Sequence, residues 1–410
     1  MTSESPRLAA LLAQVAARDG SALTVFWEEM AASGTPLIEP AADAGTRLVT
    51  LVIRAEEAEA PHYVAGLGLG GLDPADRLMR TLDGTDVRHR SYLVRADLRT
   101  VYAFARTPEA DVGPEELLAD PLAHRSYVYP ADDEDPDSRE VRVTLLELPG
   151  AAAPRWSQPD GAPPGNVELH RFASGALGGE RRVYTYLPAS FDDSAGPYPL
   201  LILIDGWAFT KVVSVPTVLD NLIRDGAIPP LIAVMPDAPT TAARMSDLWL
   251  SSAFNAFLAD ELLPWARLRW PVTTDPSQVV ITGSSLGGIA AAYFAVEHPD
   301  LAGGVISMSG TFQISPTDDP EPVWLARELA GRPMLPLRFW LNVGVLERHP
   351  MPADVSNLAA NRSMRDVLRA RGYPVVYHEF PGGHDYFWWV ESLGDGLIDL
   401  MGTGAMAARP

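Results

Sequence analysis

At 410 residues, 47% hydrophobic and without cysteine, the chain can bury more than one core without disulfide staples, and thiol nucleophiles and thiolate metal sites are excluded. Its formal charge of −21, from 53 acidic against 32 basic residues, repels phosphate backbones and anionic lipid, so nucleic acid and membrane surfaces are disfavoured as partners. Lys211 is the single lysine and stands in no motif, the opening stretch lacks the pattern of a signal peptide, and no run of about 18 apolar residues occurs. These features set the expectation of a soluble cytoplasmic protein.

In chain order, a helical pattern at residues 7–17 comes first, followed by strand-like segments at 46–54, 89–94 and 141–148 with polar turns between them. They predict a small N-terminal β-sandwich over residues 1–146. The glycine run Gly66–Gly71 fits the spacing of a dinucleotide-binding loop, but Asp73-Pro74 follows where a helix would have to continue, so a turn is expected. The acidic run at 132–137, DDEDPD, lacks EF-hand spacing and is expected to be a solvated loop. Residues 147–165 are rich in proline, glycine and alanine and read as a linker between two cores able to fold independently.

Residues 166–410 alternate between strand and helix. Short apolar runs at 200–204, 231–235, 278–282, 304–307, 338–343 and 375–380 are strands of the kind buried on both faces, and helical patterns lie at 215–224, 253–265, 286–297 and 354–371. The expected fold class is α/β: a mostly parallel sheet with helices on both faces, in the manner of an α/β-hydrolase catalytic domain.

Gly283-Ser284-Ser285-Leu286-Gly287 stands directly between a strand pattern and an apolar helix. In that setting the glycines permit a sharp turn, Ser285 becomes the candidate nucleophile, and the Leu286 amide points at a developing oxyanion. A serine hydroxyl needs a base, and in this fold the order is serine, acid, histidine. His384, presented by Pro381-Gly382-Gly383 after the final strand, is that candidate; His298, His349 and His378 are expected to be structural. Glu347, just past the penultimate strand, is the candidate orienting acid, with Asp385, Asp318 and Asp319 as alternatives. The amide of Gly206 or Trp207, in the turn after residues 200–204, would complete the oxyanion hole. No cofactor or metal is needed for this chemistry.

These residues resemble the enterochelin esterases, iron-siderophore hydrolases within the broader esterase-D-like group. The resemblance rests on YPLLILIDG, Arg244-Met245-Ser246-Asp247-Leu248, GSSLGG, Gly344–Glu347 and Gly382-Gly383-His384-Asp385, and upstream on FWEEM, GTPLIEP, Gly84-Thr85-Asp86-Val87, Asp120-Pro121-Leu122 and Pro154-Arg155-Trp156. It implies hydrolysis of the ester backbone of a ferric catecholate siderophore, with the triad on Ser285, Glu347 and His384. It also implies substrate contacts at Arg244 and Asp247, and the aromatic run beginning at Tyr386 beside the histidine is expected to wall the pocket. The sequence departs from the family pattern at Asp247, where glutamate is usual, at Thr311-Phe312, where tryptophans are frequent, and at Val390, where arginine is common.

Overall fold

A computed structural model describes residues 5–402 apart from 56–60, 67, 72, 110–112 and 352–353. The chain begins with helices α1 (Pro6–Ala16) and α2 (Ala22–Ser33), the first capped by Ser5, whose hydroxyl accepts from Leu8 N. Eight strands follow: β1 (Leu37–Pro40), β2 (Thr46–Arg54), β3 (Tyr63–Ala65), β4 (Arg80–Thr81), β5 (Val87–Arg95), β6 (Arg99–Ala105), β7 (Ser126–Tyr129) and β8 (Val141–Glu147), with the short helix α3 (Pro74–Arg77) between β3 and β4. They form two four-stranded antiparallel sheets, ordered β1-β2-β5-β4 and β3-β6-β8-β7.

Strand β2 shows why the N-terminal region holds two cores. Its alternate residues Val49, Leu51 and Ile53 pack with Val64, Phe104 and Leu146 of the second sheet, while Val52 faces the helical layer of Leu8, Leu11, Phe26 and Trp27. Both faces are therefore covered. The FWEEM segment lies in α2, where Phe26, Trp27 and Met30 are core residues.

The second region centres on an eight-stranded sheet of order β18-β15-β14-β13-β11-β12-β10-β9. Strands β9 (Asn166–Ser174) and β10 (Gly179–Leu187) form an antiparallel hairpin on one edge. The other six are mutually parallel: β11 (Leu200–Leu203), β12 (Ile232–Asp237), β13 (Val279–Ser284), β14 (Gly304–Met308), β15 (Arg338–Gly344) and β18 (Val375–Phe380). A small ribbon, β16 (Pro350–Met351) with β17 (Val355–Ser356), lies outside the sheet. One face carries α6 (Ser252–Ala256), α7 (Leu263–Arg269), α8 (Leu286–Glu297), α9 (Trp324–Gly331) and α10 (Asn357–Ala370); α4 (Val215–Arg224) and α11 (Tyr386–Met401) cover the other. Helix α5 (Thr241–Leu248) stands at the carboxyl end of β12. In β11 the four residues Leu200–Leu203 alternate between the two cores and are all fully buried, each worth on the order of 2 kcal/mol of apolar burial. Among the described residues no helix is long and apolar enough to cross a membrane.

Two expectations need correction. The segment 147–165 is not a loose tether, because the amides of Arg155, Trp156 and Ser157 all donate to the Glu391 carboxylate on α11, and Asn221 Nδ2 donates to the carbonyls of Trp156 and Gln158. Three amides converging on one carboxylate fix this stretch against the sheet-covering helix. Nor is the acidic run at 132–137 simply solvated. Asp132 and Asp135 are buried: Asp132 pairs with Arg182 on β10, and Asp135 Oδ2 accepts from Thr241 N.

Candidate active site

Strand β13 ends at Ser284 and α8 begins at Leu286, so the reversal of direction falls on Ser285, with φ 55° and ψ −122°. A left-handed φ on a residue with a side chain stores strain, and it needs surroundings that enforce it. They are present. Ser285 N donates to Met308 O at 2.9 Å and Thr311 N donates to Ser285 O at 3.1 Å, while a β-carbon on Gly283 would lie 2.5 Å from Gly287 O. Ser284 is buried inside the strand, whereas Ser285 is half-buried. As the first helical residue, Leu286 has no carbonyl one turn earlier for its amide, which makes it an anion donor by position.

Four adjacent parallel strands, β13, β14, β15 and β18, carry at their carboxyl ends Ser285, Ser309, Glu347 and His384 in that order. His384 Nδ1 lies 2.7 Å from Glu347 Oε2. With Nδ1 committed to the carboxylate, Nε2 is the nitrogen able to take a proton from a hydroxyl. Arg348 does not pair with Glu347; its Nε donates to Val345 O.

The Glu347 carboxylate is saturated. Oε1 accepts from Ser309 Oγ at 2.6 Å and Gly344 N at 2.7 Å, and Oε2 accepts from Asn357 Nδ2 at 2.7 Å as well as from the imidazole. Burial alone would raise its pKa. The charge and hydrogen bond of His384, with the hydrogen bonds of Ser309 and Asn357, outweigh burial and hold it below the usual carboxylate range. Trp389 Nε1 donates to Ser309 Oγ at 3.0 Å and its ring meets the His384 ring edge-on at 4.7 Å. Ser309 and Asn357 were not singled out from sequence, the one signal available being the position of Ser309-Gly310 just past a buried strand; Trp389 was read only as part of the aromatic run beside the histidine.

The alternative acids are placed elsewhere. Asp385 caps α11, accepting from Phe387 N and from Thr100 Oγ1 on β6, and burial raises its pKa to about 7. Asp319 pairs with Arg327 on the surface. His298 ends α8 against Phe294, His349 packs beside Gly71, and His378 lies on Trp340.

The turn at residues 205–207 separates the two oxyanion candidates. Asp205 has φ 70°, and its carbonyl accepts from Phe209 N, so Gly206 is the first residue of a helical turn. A β-carbon on Gly206 would sit 2.3 Å from Met235 O, which fixes glycine there. The Trp207 amide, by contrast, donates to Asp237 Oδ1 at 3.0 Å. That bond occupies the Trp207 amide. Burial lifts Asp237 to about pKa 6, against the lowering influence of Arg182 and of the Trp207 amide.

A cavity of about 210 Å³ next to this turn is lined by Arg244, Tyr386, Trp207, Asp205 and Asp237, among others. Arg244 forks onto Asp205, with Nε–Oδ1 and Nη2–Oδ2 both 2.7 Å, so part of its charge is answered within the protein. Asp247 does not join the lining. It is buried and forks with Arg181 at 2.8 and 2.9 Å, which occupies both oxygens and fixes α5 to β10; its assignment as a substrate contact is corrected to a structural pair. Of the aromatic run, Tyr386 reaches the cavity, Phe387 meets Tyr127, Trp388 stacks on Phe380, and Trp389 is buried beneath the histidine.

The putative esterase family model matches residues 174–400, more than half of the chain. The iron(III) enterobactin esterase of Dickeya dadantii is 27% identical, the alignment covering 92% of each chain. The crystal structure of ferric enterobactin esterase from Salmonella typhimurium superposes with a TM-score of 0.73 at 25% identity, covering 92% of this chain and 98% of that one. That of the enterobactin esterase from Shigella flexneri in the presence of enterobactin does so at 0.70 and 25%, covering 90% and 96%. With a serine elbow on a parallel sheet and iron(III) enterobactin esterases similar to it along nearly their whole length, this chain belongs to the esterase family, carboxylic-ester hydrolases of the α/β-hydrolase fold.

Proposed function

We propose that the protein hydrolyses the ester backbone of a ferric catecholate siderophore, using Ser285 as nucleophile, His384 as general base and Glu347 as orienting acid. The observation that carries this reading is the 2.7 Å contact of His384 Nδ1 with a saturated Glu347, at strand ends adjoining the strained Ser285 turn. His384 Nε2 takes the hydroxyl proton as Ser285 Oγ attacks the ester carbonyl. The oxyanion rests on the amides of Leu286 and Gly206, and the imidazolium returns the proton to the leaving alcohol. A water activated in the same way then frees the acyl group. Iron enters only as part of the substrate.

The substrate class is supported by the relatives, iron(III) enterobactin esterases by name, one of them crystallised in the presence of enterobactin. In this reading residues 1–146 supply a second wall, residues 147–165 the connection, and residues 166–410 the chemistry.

The experiment separates substrate choice from chemistry. Arg244→Ala should raise KM for a ferric catecholate siderophore by about tenfold, the worth of one charge-assisted contact, and leave KM for p-nitrophenyl acetate nearly unchanged, any fall in kcat through the released Asp205 being shared by both substrates. Equal loss on the two substrates would show that Arg244 serves only to hold Asp205 beside the elbow.

A further inference from the structure

The acidic run in the loop between β7 and β8 belongs to the N-terminal region, yet its two buried carboxylates point at the other one. We propose that this loop sets the position of the turn at residues 205–207 through Asp132, Arg182 and Asp237, which makes the N-terminal region a positioning part of the catalytic machinery. The inference rests on the reading of Gly206 N as an oxyanion donor.

The connection is continuous. Arg182 on β10 lies directly opposite Asp237 on β12 in the antiparallel ladder, and its Nη2 is 2.5 Å from Asp237 Oδ2. From the other side, Asp132 Oδ1 accepts from Arg182 Nη1 at 2.8 Å, and Asp132 Oδ2 is 2.6 Å from Nη2. The remaining oxygen of Asp237 accepts the Trp207 amide, one residue past Gly206. Removing Asp132 takes two contacts from Arg182 and leaves it with Asp237, the Ala238 carbonyl and, at 3.9 Å, Glu134, so the guanidinium and Asp237 can shift together.

A second route reaches the same turn. Asp135 Oδ2 accepts from Thr241 N, the first residue of α5; α5 carries Arg244, and Arg244 forks onto Asp205, the residue before Gly206. The loop thus holds the turn on both sides of its central amide. A loop whose task was only to dock one domain on another would gain as much from apolar contacts, because a buried ion pair recovers little beyond its own desolvation. What the charges supply is direction, since a carboxylate can accept from a guanidinium and an amide at once and an asparagine cannot satisfy both.

The test uses the full chain and p-nitrophenyl acetate, a small neutral ester that needs no siderophore contacts. Active sites are counted by complete reaction of Ser285 with a fluorophosphonate, so that a less stable protein is not mistaken for a slower one. Asp237→Asn should lower kcat per labelled site by about tenfold, a fraction of the cost of losing an oxyanion donor outright, and Asp132→Ala should lower it several-fold. KM should change by less than about twofold in both, and Asp132→Glu should recover part of the loss. If both variants keep kcat per labelled site within about twofold of wild type, the cluster only docks the domains and the inference is overturned. If the wild-type protein takes no label on Ser285, the proposed function fails first and this inference fails with it.

Discussion

Ser285→Ala should lower kcat by a factor on the order of 10⁴ to 10⁶, and His384→Ala by on the order of 10³ or more, both with the fold intact. The serine is replaced by a residue of nearly the same size in a turn held by the Met308 carbonyl and the Thr311 amide, so the strained geometry has backbone partners that survive the change. The histidine is part-exposed, with 19% of its side chain accessible, and its removal leaves Glu347 still bound to Ser309, Gly344 and Asn357. A fluorophosphonate should label Ser285 in the wild type and nothing in Ser285→Ala. Label on Ser284 would move the nucleophile, although Ser284 lies buried in β13 with 1% exposure. Near-wild-type turnover in His384→Ala would remove the base from the account.

Glu347→Gln should cost on the order of 10³ in kcat, although the substitution changes almost no volume. Each oxygen of the carboxylate accepts from two donors. An amide has one oxygen, so its NH2 must face either the Gly344 amide or the pair formed by Asn357 and His384. In the first orientation a buried donor opposes a donor. In the second the imidazole must accept at Nδ1 and carry its proton on Nε2, the tautomer that cannot act as base. The negative charge that would stabilise the imidazolium is lost in either case. A fall in kcat with KM for the small ester nearly unchanged is the expected pattern; full activity would mean that Glu347 orients nothing.

The parallel strands were legible because burial on both faces leaves continuous apolar runs, as at Leu200–Leu203 and Gly304–Met308. The hairpin of β9 and β10 was not. It forms the sheet's edge, its strand β9 is mostly exposed, and its residues mix arginine, glutamate and aromatics without a clear period. Helix α5 showed no clear apolar stripe because it lies over the end of the sheet, where only Leu248 enters the core and the Asp247–Arg181 pair and the Thr241 amide on Asp135 hold the rest. Ser285, Glu347 and His384 could be chosen by motif and chain order, since each follows a readable strand. Ser309 and Asn357 had no such signal, and Trp389 stood out only as an aromatic beside the histidine, because their roles depend on three elements meeting at one carboxylate. The acidic run misled for a related reason: its partner Arg182 lies fifty positions away in the unrecognised hairpin.

The central claim is that Ser285 opens the ester backbone of a ferric catecholate siderophore, and mass spectrometry of the products tests it most directly. Wild-type protein incubated with a ferric trilactone catecholate should convert it first to the linear trimer, heavier by one water, and then, with one water consumed at each further cut, to the dimer and monomer of the N-acyl serine, and Ser285→Ala should leave the trilactone intact. An intact trilactone after incubation with a wild-type sample that still hydrolyses p-nitrophenyl acetate would contradict the account.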